Sequence, residues 1–231
     1  MGALDASTRL VVVNGIYFKG MWEHRFNPKS TSKAKFRTSE TQQVDVDMMS
    51  IEEKFPYGKL PELEAEAIAL PYKGGRLSMV IILPNAVNGL TKVQSSIGSL
   101  IRGGKSLVKE RLTVSDKVHL QLPKFKIEAA ISNLKEVLQA LGMKSMFSQT
   151  DADFGGIPSG KNPGLYVSSV IQKAFIEVNE EGTEAAGAVM MARSMPLVIP
   201  FEANRPFYFQ IVDNANGDLI LFSGHCIDPS K

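Results

Sequence analysis

Residues 166–189, YVSSVIQKAFIEVNEEGTEAAGAV, join two kinds of sequence that seldom sit side by side. The first half, through Val178, is dense in β-branched and aromatic residues over a length that suits a long strand. The second half turns to glutamate, glycine and alanine, which are poor strand formers. With a period of two, Thr183, Ala185, Gly187 and Val189 share one face, and Glu184, Ala186, Ala188 and Met190 share the other. The first set is small or modest in size, as a strand must be if it is to enter a packed sheet without overfilling the layer beneath. The segment thus reads as a loop able to become a strand, while a flexible linker or the start of an alanine-containing helix is the plainer alternative.

Working outward, the surrounding pattern is one of many strands and few helices. Residues 8–18, TRLVVVNGIYF, lack polar alternation, which predicts a strand buried on both faces. Shorter strands are expected at residues 34–37, 43–49, 64–70 and 77–83, between breaks at Asn27-Pro28, Pro56, Pro61 and Lys73-Gly74-Gly75. Residues 95–110 read as one or two short helices with Ile97, Ile101 and Val108 inward. Residues 119–127 alternate as a strand. Residues 132–141 place Leu134, Val137, Leu138 and Leu141 at helical spacing, with Ser132 or Asn133 as cap and Gly142 as stop. Residues 206–212 and 218–222 form a hairpin across 213–217. No repeat or linker divides the sequence, so residues 1–231 read as a single domain.

Composition narrows the function classes. With 231 residues, 44% of them hydrophobic, the protein is long enough to bury a real core, and 26 basic against 24 acidic residues give a net charge of only +2. That balance points to neither a nucleic-acid partner nor an acidic tail. The longest apolar runs are too short to span a membrane, and residues 1–10 lack a signal-peptide pattern. Cys226 is the only cysteine, which excludes an internal disulfide. The three histidines, His24, His119 and His225, lie far apart without metal-ligand spacing, so neither a metal nor another cofactor is expected. No nucleophile elbow, Walker loop or dinucleotide fingerprint is present, and no catalytic residue is assigned. Asp151 and Asp153 read as turn or capping acids, and His119 as a structural strand residue. Arg102, Lys105, Lys109 and Arg111 form a basic set that reads as a solvated helix face, with a weak glycosaminoglycan contact as the functional alternative.

NEEGTEAAGAV, directly after YVSSVIQKAFIEV, resembles the proximal hinge of the reactive-centre loop of serpins. LVVVNGIYFKGMWEHRF is similar to the third strand of their main sheet. LPKFKIEAAISNLKEVLQALGMKSMFSQTDADFGGI and FEANRPFYFQIVDNANGDLILFSGHCIDP follow in the same family order. The resemblance runs from Leu10 to Pro229. It implies an α+β serpin fold in an N-terminally truncated form: part of main sheet A, the B and C sheets, few helices and an exposed loop at about residues 180–200. It further implies irreversible inhibition of a serine protease, trypsin-like in first place, by loop cleavage and insertion. The hinge maps to Glu180, Gly182, Thr183, Glu184, Ala185, Ala186, Gly187 and Ala188. The scissile bond maps to Arg193-Ser194, with Met195-Pro196 as the alternative, because arginine suits an acidic specificity pocket. Asn14 and Gln172 fall at the family's shutter, where glutamine stands in place of the usual histidine, and Trp22 falls at its breach. The wording around MMARSMP is similar to secreted arthropod serpins such as those of ticks, which implies an extracellular parent protein. A non-inhibitory binding module, or a fragment that self-associates through exposed sheet edges, is the alternative reading.

Overall fold

The computed structural model describes residues 8–101, 106–114, 116–131, 134–157, 164–181 and 198–231. From the N-terminus its elements are β1 (Leu10–Phe18), β2 (Ser32–Arg37), β3 (Gln43–Lys54), β4 (Tyr57–Leu60), β5 (Ala65–Pro71), β6 (Leu77–Pro84), α1 (Leu90–Leu100), α2 (Leu107–Arg111), β7 (Lys117–Pro123), β8 (Phe125–Ile131), α3 (Leu134–Ala140), β9 (Val167–Val178), β10 (Val198–Glu202), β11 (Phe207–Asp213) and β12 (Leu219–Cys226). The described strands form three sheets, ordered β1-β9-β8, β10-β7-β3-β2 and β12-β11-β6-β5-β4. The backbone groups into two compact units, residues 1–18 with 127–176, and residues 19–126 with 177–231.

The larger unit owes its core to the five-stranded sheet. In β6, Ser78 to Pro84 are all buried, as a continuous apolar run covered on both faces should be. In β5, Ala65, Ala67 and Ala69 alternate onto one face and pack in a cluster with Val93 and Ile97 of α1, Val80, Ile82 and Val212. The three small side chains leave room for the helix to lie close to the sheet, and the methyl and methylene groups it buries supply the stabilisation. On the other side Phe125 meets Phe207 and Phe209 at ring-centroid distances of 5.6 and 5.7 Å. The expected hairpin closes as β11 and β12, antiparallel from Phe207↔Cys226 to Asp213↔Leu219.

The smaller unit is thinly covered. Contrary to the two-sided burial expected for residues 8–18, no residue of β1 is fully buried, and Val13 and Tyr17 are 71% and 63% exposed. The reason is that its apolar cluster is small: Phe147, Val167 and Val170, with Leu10, Leu134, Leu138, Met146 and Phe154 against them. Only Leu10 of β1 reaches that cluster. In α3, Leu134 and Leu138 turn inward, whereas Val137 and Leu141, also expected inward, are 43% and 75% exposed. A seven-residue helix covers the sheet with one narrow stripe and leaves its flank in solvent. Gly142, at φ +98°, ends the helix in the left-handed region where glycine carries no Cβ penalty. The expected caps Ser132 and Asn133 lie outside the described residues.

Other boundaries differ from expectation for identifiable reasons. The run read as one strand over residues 119–127 is two strands in different sheets, β7 and β8. Pro123 offers no N–H to continue the ladder, and the Lys124 N–H instead donates to the Asp47 carbonyl at 2.8 Å. The helix expected from residue 95 starts at Leu90, and Val93 joins Ile97 in its buried stripe while Ile101 and Val108 are partly buried. Asp153 accepts the Gly155 N–H and Asp151 accepts from Ser148 Oγ, the turn chemistry expected of these acids.

Candidate functional site

Strand β9 ends at Val178, and the next three residues are each held in the larger unit by a different interaction. The Asn179 carbonyl accepts a 2.9 Å hydrogen bond from Trp22 Nε1, and Asn179 Nδ2 donates to Glu177 Oε1 at 3.0 Å. Trp22 is buried, stacks on Tyr72 with centroids 4.5 Å apart and meets Phe26 edge-on. An indole packed on two rings has one free direction for its N–H, and here that direction fixes Asn179. Burial pushes the Tyr72 phenol far above its ordinary value, so it stays neutral beneath the indole.

Glu180 is the second anchor. Thr31 Oγ1 donates to its Oε1 at 2.7 Å, Lys124 Nζ lies 2.9 Å from its Oε2, and only 12% of its side chain is exposed. Burial alone would raise its pKa, but the hydrogen bonds from Lys124, Thr31 and the backbone outweigh it and hold the carboxyl below its ordinary range. Glu181 is the third, paired with Lys19 at 2.8 Å and with its N–H donated to Asn179 Oδ1. Its side chain is 71% exposed, so that pair adds little. Together the contacts gather Lys19, Trp22, Thr31 and Lys124 around residues 179–181. The far end of the intervening stretch is equally fixed: β10 pairs in parallel with β7 from Val198↔Lys117 to Glu202↔Gln121. Just beyond it the Ala203 N–H donates to the Gln121 carbonyl, and Arg205 Nε donates to the Pro84 carbonyl at 2.6 Å.

In the smaller unit β1 and β9 pair in parallel, and Asn14 and Gln172 are register partners, with Gly15 opposite Lys173 and Tyr17 opposite Phe175. Partners in register share a face, so Asn14 and Gln172 stand side by side at the middle of this ladder. Gly182, Thr183, Glu184, Ala185, Ala186, Gly187, Ala188, Arg193, Ser194, Met195 and Pro196 lie outside the described residues, as do Arg102 and Lys105. Of the remaining basic set, Arg111 donates to Glu62. No group of His, Cys, Asp and Glu suited to a metal occurs among the described residues. His119 lies on β7 opposite Pro200 and Glu52, partly exposed, as a structural strand histidine should be. Cys226 is buried, and burial with the nearby Asp228 charge pushes its thiol up to about 12, leaving it unreactive.

Of the residues expected to matter, the fold brings Trp22 and Glu180 to one place, and Asn14 and Gln172 to another. Lys124, Thr31, Lys19 and Asn179 were not foreseen. Thr31 and Glu180 lie 149 positions apart, and no local pattern announces such a pair. The serpin family model, described as serine protease inhibitor, matches residues 1–229. Iris of Ixodes ricinus is 40% identical over 96% of this chain and 58% of its own length. Leukocyte elastase inhibitor A of Mus musculus is 39% identical over 99% of this chain and 61% of its own. The crystal structure of Serpin48 from the insect Tenebrio molitor superposes with a TM-score of 0.80 at 36% identity, covering 98% of this chain and 58% of that one. The chain therefore spans about three-fifths of the length of the relatives it matches. With its three sheets, few helices and strand order in place, the chain belongs to the serpin family.

Proposed function

We propose that this protein holds the machinery of an irreversible inhibitor of serine proteases, trypsin-like ones in first place, extracellular in the parent protein. The protease's serine attacks the Arg193 carbonyl, the bond to Ser194 breaks with the new amine leaving, and the protease stays esterified to Arg193. The released arm, led by Gly182, Thr183, Glu184, Ala185, Ala186, Gly187 and Ala188, then turns back from β9 and enters between β1 and β9, carrying the protease with it. Met195-Pro196 is the alternative bond, disfavoured because proline follows it.

The observation that carries this reading is the parallel β1–β9 ladder, with β9 leading directly into the anchored residues 179–181. A strand that folds back from β9 runs antiparallel to β9 and to β1 alike. Insertion exchanges one parallel ladder for two antiparallel ones, and antiparallel pairing is somewhat the stronger per residue. At a net of about 0.5–1.5 kcal/mol per hydrogen bond, gaining a ladder of about ten residues releases on the order of 10 kcal/mol. Asn14 and Gln172 act on this reading as the polar pair that must part, and Trp22 and Glu180 as the fixed point about which the arm turns. Glycosaminoglycan binding through Lys109 and Arg111 is the weaker element, because Arg111 already pairs with Glu62.

The test is to incubate the protein with trypsin-like and chymotrypsin-like proteases and look for complexes that survive SDS. The expected result is such a complex with a trypsin-like enzyme and a released peptide beginning at Ser194. A peptide beginning at Pro196 moves the bond to Met195. Cleavage without a complex supports the second reading, a non-inhibitory binding module. The exposure of Val13 and Tyr17 on β1, which pairs with β9 alone among the described strands, favours the further alternative, a fragment that self-associates.

A further inference from the structure

Trp22 fixes Asn179 through its indole N–H, and Trp22 in turn is fixed by the turn between β5 and β6. Residues 21–24 run beside that turn as a short extra edge. Trp22 and Tyr72 form an isolated antiparallel bridge, the Glu23 N–H donates to the Pro71 carbonyl at 2.9 Å, and the Lys73 N–H donates to the Met21 carbonyl at 2.7 Å. Glu23 adds a contact through its side chain, whose Oε2 accepts the Gly74 N–H at 3.0 Å. The turn that supplies this donor is itself tied to the five-stranded sheet. Asn214 Nδ2 donates to the Gly75 carbonyl at 2.8 Å and to Ser78 Oγ at 2.9 Å, and the Asn214 N–H donates to the Arg76 carbonyl at 2.8 Å. Arg76 pairs with the buried Asp213 at 3.0 Å. All of these residues, and Asn179 with them, belong to the larger compact unit.

The two backbone bonds set where this segment lies, and the side-chain bond sets its rotation. Successive residues of an extended segment project to opposite sides. A twist that carries the Glu23 carboxylate off Gly74 therefore also turns the Trp22 indole against Tyr72 and off the Asn179 carbonyl, which its Nε1 reaches at 2.9 Å. We propose that Glu23 is a positioning residue: latched to the Gly74 N–H, it sets the direction of the Trp22 N–H and through it the root of the arm at residues 179–181. The latch rests on these contacts alone, and its consequence for protease trapping rests on the function proposed above. A root that wanders delays entry of the arm and gives water more time to hydrolyse the ester that holds the protease.

Trp22 is the sole tryptophan, so quenching of its emission by acrylamide reports this ring alone. The uncleaved protein is compared with Glu23→Ala and Glu23→Gln, and amide exchange is followed in parallel. Glu23→Ala is expected to open Trp22 to acrylamide and to lower protection at Gly74 and residues 179–181 roughly fivefold, less than the full weight of a hydrogen bond to a charged group because Glu23 is exposed. Amides of β11 should keep their protection, which a general loss of stability would not allow. Glu23→Gln, whose carboxamide oxygen accepts the same N–H, is expected to restore both readouts. The proposal is overturned if Glu23→Ala leaves quenching and the amides of residues 179–181 unchanged, or if Glu23→Gln behaves as Glu23→Ala does. Both readouts precede any cleavage, so they decide on the latch even where no protease complex forms, an outcome that counts against the proposed function instead. With a protease that is trapped, Glu23→Ala should consume several-fold more protein per protease than Glu23→Gln, and equal consumption overturns the role in trapping.

Discussion

The five-stranded sheet and the β1-β9-β8 sheet are built from similar apolar sequence and end in opposite conditions. In the former, Ile68, Ile81, Ile82, Phe207, Phe209 and Ile211 are at most 1% exposed. In the latter, β1 presents Val12, Val13 and Tyr17 to solvent. Burial on two faces makes the first a scaffold whose strands cannot part without exposing the core. A small cluster beneath it, and for β1 a parallel ladder with β9 as its pairing among the described strands, give the second sheet less to hold it closed. The contrast separates the part that fixes residues 179–181 and 198–202 from the part that, on the proposed mechanism, must open.

The widest gap between the two regions is expected in stability. Phe209→Ala should cost about 3–5 kcal/mol in urea denaturation, because its ring fills the space between Phe125 and Gly224. Tyr17→Ala removes a ring stacked 5.1 Å from Phe175 but already exposed, and about 1 kcal/mol is expected. Equal losses would erase the distinction. Gly58→Ala should cost about 2–3 kcal/mol by the same method, since a methyl there collides with the Arg111 carbonyl, which is backbone and cannot swing away.

Smaller changes probe the root. Trp22→Phe keeps an aromatic on Tyr72 but deletes the Nε1–H donor, so a loss of about 1–2 kcal/mol is expected, with faster amide exchange confined to residues 179–181. Acid provides the last contrast. Because the Glu180 carboxyl is held below its ordinary value of 4.5, its contribution is fully present above that value and is lost as pH falls through the lower folded value. Protection factors at residues 179–181, corrected for the intrinsic pH dependence of amide exchange, should fall across that window in the parent and stay flat in Glu180→Gln. A difference of about 1 kcal/mol is expected for a partly solvated pair.

Much of the scaffold was legible in the sequence because its signals are local. The continuous apolar run of β6, the turn residues around 213–217 and the helical spacing from Leu134 to Leu138 each needed only neighbouring residues. Burial was not local, and β1 shows it: apolar composition predicts a covered strand, but cover depends on what other segments reach it. The break at Pro123-Lys124 was missed because alternation continues through it, while the ladder does not. At the site, Trp22 and Glu180 were found through resemblance. Lys124 and Thr31 escaped because a partly buried carboxylate finds its partners through tertiary folding, at separations no motif spans.

The central claim is that the β1–β9 ladder opens to admit the arm cut at Arg193, and hydrogen exchange at those two strands tests it most directly. Amides in residues 11–18 and 167–176 would be compared before and after a single cleavage in residues 182–197. Both strands should gain protection on cleavage, because the parallel ladder they share is replaced, for each of them, by the stronger antiparallel pairing with the inserted arm. Unchanged or weakened protection in a protein shown to be fully cut would contradict it.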